Sequence, residues 1–185
     1  MLYFKFDYDK AIATILLIAN KLIENFGPRG AGFHKVFKML YFAEQKHLVK
    51  YGRPIVGDFY IAMEHGPVPS RIYDMIKIVK GESLIEDHMN LKRFFDVKRH
   101  FIYPKQEPDM DEFSESDLEC IEESLKENQS LTFNQLKQIS HDSAYKKALK
   151  DDKIAYSEIA KSGGAEESIL HFMRIQSENE RLLNQ

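Results

Sequence analysis

Two consecutive segments with the apolar period of an α-helix constrain this chain more than any other feature. Between residues 9 and 26, apolar side chains recur at spacings of three and four, and a Gly-Pro pair at 27–28 ends the pattern. A second such pattern runs from about residue 32 or 33 to 51. Asp7 or Asp9 can cap the first helix. Neither helix buries its apolar stripe alone, so we expect the two to pack together and form the core.

The second helix has a polar side as well as an apolar one. We expect Lys35, Lys38 and Glu44 to lie mostly opposite the apolar face. His47 falls on the apolar face beside Leu48, which favours a core histidine that is hydrogen-bonded to a neighbouring segment. The glycine-rich stretch before this helix lacks the lysine and serine of a phosphate-binding loop, so we interpret it as an interhelical turn.

The spacing of the apolar residues changes after the second helix. Residues 55–64 alternate in polarity and predict a short extended segment. Pro67 and Pro69 follow, and because each proline fixes its own φ and restricts the preceding residue, residues 66–68 are expected to form a rigid, extended turn. Ser70 or Pro69 then opens a third helix, with the Ser70 hydroxyl expected as its cap.

Further elements follow in the second half of the chain. Residues 94–103 alternate loosely and predict a two-stranded hairpin, which we expect to pair with the preceding extended segment. The patterns at 116–119 and 132–135 predict capping boxes, so helices should begin there. A short helix is predicted near 143–149, and residues 162–164 separate it from a final amphipathic helix.

The apolar faces of these later helices complete the predicted core. In the helix after Thr132 this face consists of Phe133, Leu136 and Ile139. The predicted fold class is mainly α (α+β), a compact multi-helix domain with a small antiparallel β-hairpin or three-stranded sheet.

Composition limits the classes of protein that this chain can belong to. Of its 185 residues, 43% are apolar and 30% are charged, a balance typical of soluble globular domains. The net charge of −3 provides no chain-wide attraction to nucleic acid. The single cysteine, Cys120, excludes an intramolecular disulfide, and the longest apolar stretch is too short for a bilayer. With no secretory pattern at the start, we expect a cytoplasmic location.

The segment KVFKMLYFAEQKHLVKY, residues 35–51, and the following GRPIVGDFYIAMEHGPVPSRIYDMIK, up to Lys77, resemble the SocA-like antitoxin (Panacea) family. The resemblance continues more weakly through FSESDLECIEESL and SLTFNQLKQISHDSAYKKA, and covers roughly residues 8–150. Where the family often has tryptophan after an alanine, this chain has Ala144 and then Tyr145.

This resemblance implies a function as well as a fold. It implies a mainly helical domain that is encoded beside bacterial or prophage toxin genes and that neutralises a cognate protein toxin by direct binding. In one branch it implies delivery of the toxin to an ATP-dependent protease. We expect residues 1–150 to form the antitoxin domain, and residues 151–185 to form a helical extension packed on it that contributes to partner choice. No cofactor is implied.

Prolines, aromatic residues and charged residues after the second helix form a candidate partner-binding surface. Its members are Tyr60, Met63, His65, Pro67, Pro69, Arg71 and Tyr73. The alternative is that several of them pack the extended segment onto the helices. For His65, presentation to a partner and a role in shaping the turn are equally supported.

Other functions find less support in the sequence. The seven histidines form no HExxH motif and no helical pair with a carboxylate, so no metal site is expected. An enzyme would have to use His65, His141 and nearby acidic residues, and Cys120 lacks the basic surroundings that activate a thiol. A DNA-binding regulator or a prophage-associated interaction protein remains the alternative function, because two helices joined by a glycine turn superficially resemble helix-turn-helix.

Overall fold

The computed structural model describes residues 2–183 and is mainly helical, which confirms the predicted fold class. Its helices are α1 (Tyr8–Phe26), α2 (Phe33–Tyr51), α3 (Ser70–Lys80), α4 (Glu115–Asn128), α5 (Phe133–Ser140), α6 (Ser143–Lys147), α7 (Tyr156–Ser162) and α8 (Glu167–Leu183). Its strands are β1 (Tyr60–Met63), β2 (Gly66–Pro69), β3 (Phe95–Lys98), β4 (Phe101–Pro104) and β5 (Lys153–Ile154). In these residues, no helix combines the length and the apolar character needed to cross a membrane.

The first two helices have the predicted bounds, and Asp7 caps α1 by accepting a hydrogen bond from the Lys10 amide. Helix α2 lies at the centre of the fold, because α1, α4, α5, α7 and β2 all pack against it. The expectation that its polar side lies on the surface is therefore wrong for Lys38 and Glu44, which are 4% and 0% exposed. Both side chains lie where other elements cover the helix.

The sheet differs from the prediction in its pairing. Residues 66–69 form strand β2, not a turn, and pair antiparallel with β1. The hairpin of β3 and β4 exists as predicted but forms its own two-stranded sheet, so its expected pairing with β1 is wrong. Strand β5 takes that place and completes a three-stranded sheet in the order β2-β1-β5. Prolines 67 and 69 lie on an edge strand, where a missing backbone N–H disrupts no ladder.

Two of the four predicted helix caps are wrong. The capping box of α4 joins Ser114 to Asp117, two residues before the predicted position, whereas the box of Thr132 and Gln135 begins α5 as predicted. In α3, the Ser70 side chain makes no cap hydrogen bond. The buried Asp58 carboxylate instead accepts hydrogen bonds from the backbone amides of Arg71 and Ile72. This distant residue satisfies the free N–H groups at the start of α3.

Two elements of the carboxy-terminal segment were not predicted. Strand β5 is too short for a periodic signal, and α7 follows it directly. Ile159 and Ala160 of α7 are fully buried against the core, and the Tyr156 hydroxyl donates a hydrogen bond to the Asp58 carbonyl oxygen. Helix α8 follows after Gly164, and its Met173 is fully buried.

Candidate functional site

His47 is part of a buried network that joins α2 to α4. It is 0% exposed, and its Nδ1 donates to the Arg53 carbonyl oxygen at 2.7 Å, which confirms the predicted core histidine. Its Nε2 lies 3.0 Å from Ser116 Oγ and 3.2 Å from Asp117 Oδ1. Burial alone would raise the pKa of Asp117, but hydrogen bonds from His47, Ser114 and Lys10 outweigh burial and lower it.

Cys120 has the inert setting that was predicted for it. Its side chain is fully buried in α4, and this burial raises the pKa of the thiol to about 11. Because a thiol with this pKa is protonated at neutral pH, Cys120 is a poor nucleophile.

The seven candidate partner-binding residues do not form one surface. Tyr60, Pro67 and Pro69 are buried under the helices, whereas Met63 and His65 are half-buried at the turn between β1 and β2. Arg71 and Tyr73 are two residues apart on α3 and so point to roughly opposite sides of the helix. Their contacts differ accordingly.

Tyr73 packs inward. Its ring lies 5.8 Å from the ring of Phe37 and 6.3 Å from that of Phe33, between centroids. The Lys77 ammonium lies 5.0 Å from the Tyr73 centroid. This residue therefore connects α3 to the start of α2.

Arg71 lines a groove of about 230 Å³ between α3 and residues 81–91. Its guanidinium lies over the rings of Phe6 and Phe59, 5.1 and 5.6 Å from their centroids. The walls of this α3 groove are mostly apolar and include Tyr8, Ile78, Ile85 and Met89. Tyr8 and Ile85 are 47% and 62% exposed, so large apolar side chains here face solvent.

His65 lines a second feature, a pocket of about 200 Å³ between α2 and α5, which we name the α2–α5 pocket. His34 and Lys38 project into it from successive turns of α2. The rings of His34, His65 and Phe133 surround its mouth, with centroid separations of 5.4 to 6.1 Å. Phe133 is 48% exposed there, although it was predicted to face the core.

The titratable side chains that line the α2–α5 pocket are all histidines and lysines. Burial lowers the pKa of the Lys38 ammonium to about 7. Burial, followed by the charges of Lys38 and His65, lowers the pKa of His34 to about 4. In the part of the chain that the structure describes, Nδ1 of His65 and Nε2 of His141 are buried without a hydrogen-bond partner. Of these two residues, His65 lines the pocket, so its Nδ1 is free to bind a ligand there.

Of these features, the sequence indicated His65 as a site residue, whereas Lys38, Phe133 and the α3 groove were not predicted to take part in a site. Lys38 follows His34 by four residues, a spacing that places both on one face of a helix. The capping box at Thr132 also located the start of α5, which forms the opposite wall. Nothing local to either segment shows that the two pack against each other.

The fold and its surface features define a small, mainly helical α+β domain with an apolar groove and a basic pocket. A family model described as antitoxin SocA-like, Panacea domain, matches residues 36–146. The chain belongs to this family. The match is narrower than the expected 8–150, and it covers both Lys38 and the loop of the α3 groove. No curated protein and no solved structure matches the chain.

Proposed function

We propose that this protein is an antitoxin that neutralises a protein toxin by binding it directly. The observation that carries the proposal is membership of the SocA-like antitoxin family over residues 36–146. The buried His47 and the inert Cys120 agree with a function that depends on binding and not on catalysis.

The α3 groove is the surface that we propose for the toxin. Exposed apolar side chains beside a groove are typical of protein interaction sites. Ile85 is 62% exposed and Tyr8 is 47% exposed, and Met89 and Ile78 complete the apolar lining. Arg71 combines an apolar stem with a charge at the edge of this surface, as residues that dominate protein interfaces do.

The remaining candidate residues take different parts in this proposal. Tyr60, Pro67 and Pro69 hold the sheet in place beneath α3, while Met63 and His65 lie at the turn between β1 and β2. For partner choice we propose the segment 151–185, because Phe172 and Ile175 of α8 are each 42% exposed. We expect variation at the exposed positions of α8 to change the preferred toxin while the buried residues of the segment keep the core intact.

Co-expression with the product of the neighbouring gene tests the proposal. We expect the full chain to restore growth that the toxin arrests, and Ile85→Asp to reduce rescue at least about ten-fold, since a charge in an apolar interface costs on the order of 1.4 kcal/mol or more. Leu149→Asp is the matched control, because Leu149 is 75% exposed and lies outside the groove. A neighbouring product that is harmless, or rescue that is equal for both variants, would contradict the proposal or its surface.

The abundance of the toxin distinguishes two mechanisms of neutralisation. A stable complex that copurifies at constant toxin abundance is expected if binding covers the active surface of the toxin. A fall in toxin abundance that depends on an ATP-dependent protease is expected if the protein acts as a proteolytic adaptor. The same co-expression strains, with and without the protease, provide both measurements.

A further inference from the structure

The α2–α5 pocket contains a buried amine that the proposed antitoxin function does not use. Lys38 is 4% exposed, and its Nζ donates to the Pro67 carbonyl oxygen at 2.7 Å. An ammonium has three donors, so this bond leaves two for other partners. Burying a charge without an opposite charge is costly, and a residue of this kind in a cavity indicates a ligand that completes its surroundings.

The groups around Lys38 are basic or neutral. Lys35 and Lys137 line the pocket with His34 and His65, and no Asp or Glu does so among residues 2–183. The neighbours whose charges lower the pKa of His34 are Lys38, His65, His100 and Lys80, all of them bases. Glu64, which precedes His65 in the chain, is exposed and does not line the pocket. With Lys35 and Lys137 in its walls and no carboxylate, the pocket favours an anion, and an anion bound beside Lys38 would favour the ammonium form of that amine.

The backbone of β2 passes close to the amine at Gly66. Gly66 has a φ of +99°, and a Cβ at this position would lie 2.8 Å from Lys38 Nζ and 2.5 Å from Ser140 Oγ. Only glycine fits there, both for its conformation and for the space that a side chain would need. The absence of a side chain at Gly66 thus lets the Lys38 amine and the Ser140 hydroxyl lie against the backbone of β2, next to the turn that carries His65.

Size and charge together restrict the class of ligand. A volume of about 200 Å³ lies below the roughly 300–1,000 Å³ of pockets for drug-sized molecules. Several basic side chains without a carboxylate favour a dianion over a monoanion, because Coulomb attraction grows with ligand charge. We propose that the α2–α5 pocket binds a small, doubly charged oxyanion of the phosphate type. This site is separate from the α3 groove and does not depend on the antitoxin function.

Calorimetric titration of the full chain with inorganic phosphate and with sulfate at constant ionic strength tests the proposal. We expect saturable binding of one anion per chain, weakened at least ten-fold in Lys38→Met, which removes the charge but keeps an unbranched side chain. Lys38→Met also removes the donor to the Pro67 carbonyl oxygen, so circular dichroism checks that the variant is folded before its anion binding is compared. Lys126→Met, an exposed lysine of α4, is the control and should bind as the wild type does.

A second pair of variants tests the mouth of the pocket. Phe133→Asp places a negative charge where a 48% exposed ring now lies, and should weaken anion binding by at least ten-fold. Met110→Asp changes a 47% exposed residue elsewhere in the same way and should have no effect. The absence of saturable binding at millimolar anion, or equal affinity in Lys38→Met and the wild type, would overturn the proposal.

The source of the oxyanion is determined by a comparison of two ligands. Tighter binding of inorganic phosphate than of glycerol 3-phosphate supports a free ion, and the reverse supports the terminal phosphate of a small metabolite. Either preference supports the proposed chemistry, and binding of neither overturns it. Toxin rescue by Lys38→Met is measured separately, so a failure of this site is distinguishable from a failure of the antitoxin proposal.

Discussion

Buried carboxylates connect distant parts of this domain at the level of single residues. Glu44 of α2 accepts hydrogen bonds from the backbone amides of Ile55 and Val56, eleven and twelve residues further along the chain. These bonds hold the segment that leads from α2 to the sheet. Burial nevertheless dominates and raises the pKa of Glu44 to about 8, against an ordinary value of 4.5.

This pKa predicts how stability depends on pH. Between pH 4.5 and pH 8 the unfolded chain releases the Glu44 proton while the folded chain retains it, so stability falls as pH rises, by an amount approaching ~5 kcal/mol over the whole range. Glu44→Gln has no proton to release and should show a shallower decline. Urea unfolding at pH 5 and pH 8 measures the difference, with Glu24→Gln, an exposed residue of α1, as the control. Equal slopes for the wild type and Glu44→Gln would exclude this role.

At the level of elements, α3 depends on a cap that comes from outside the helix. The Asp58 carboxylate binds the amides of Arg71 and Ile72 at 3.1 and 3.0 Å. Because the same helix carries Arg71 and forms one side of the α3 groove, the cap also positions the proposed toxin surface. Asp58 lies thirteen positions before Arg71, which is too far for a local capping pattern in the sequence.

We expect Asp58→Asn to lower the free energy of unfolding by about 1–3 kcal/mol, because the amide leaves one buried N–H poorly paired. Asp74→Asn on the same helix breaks an exposed ion pair with Lys77 and should cost less than about 1 kcal/mol. Urea unfolding at pH 7.5 compares the two variants. A smaller loss in Asp58→Asn than in Asp74→Asn would show that α3 does not need this cap.

At the level of the whole molecule, the segment after residue 150 completes the core. Ile154, Tyr156 and Ile159 are buried in the same hydrophobic core as the helices, and β5 pairs with β1. Each large apolar side chain that loses its burial costs about 1.5–3 kcal/mol, whereas the total stability of a domain is about 5–15 kcal/mol. The segment therefore contributes a large part of the stability of the protein.

Two truncations test this dependence. A chain of residues 1–150 should lack a cooperative thermal transition, because β1 loses its second partner, β5, and α2 loses the cover that α7 and α8 provide. A chain of residues 1–166 lacks only α8 among the helices. It should still unfold cooperatively, but at a lower temperature than the full chain. Circular dichroism during heating measures both. If residues 1–150 melted cooperatively near the midpoint of the full chain, they would form an independent domain.

Local patterns in the sequence were sufficient to predict the helices with long apolar periods and the family. Helices α1 and α2 have apolar residues at three- and four-residue spacing with clear ends, and the capping box of α5 lies within four consecutive residues. Because these patterns lie within short stretches of the chain, they predict the helices without knowledge of the fold. The core position of His47 also followed from its place among apolar neighbours on α2.

Which elements cover a given helix face or strand follows from the tertiary packing and not from local sequence patterns. Lys38 and Glu44 have the spacing of a polar helix side, yet α5 and the sheet segment bury them. The pairing of β5 with β1, the cap from Asp58 and the cover over Tyr60 all join residues that are far apart in the chain. Such contacts depend on which elements pack together, and a periodic pattern in one segment carries no information about its partner. The α3 groove and the α2–α5 pocket are consequences of that packing.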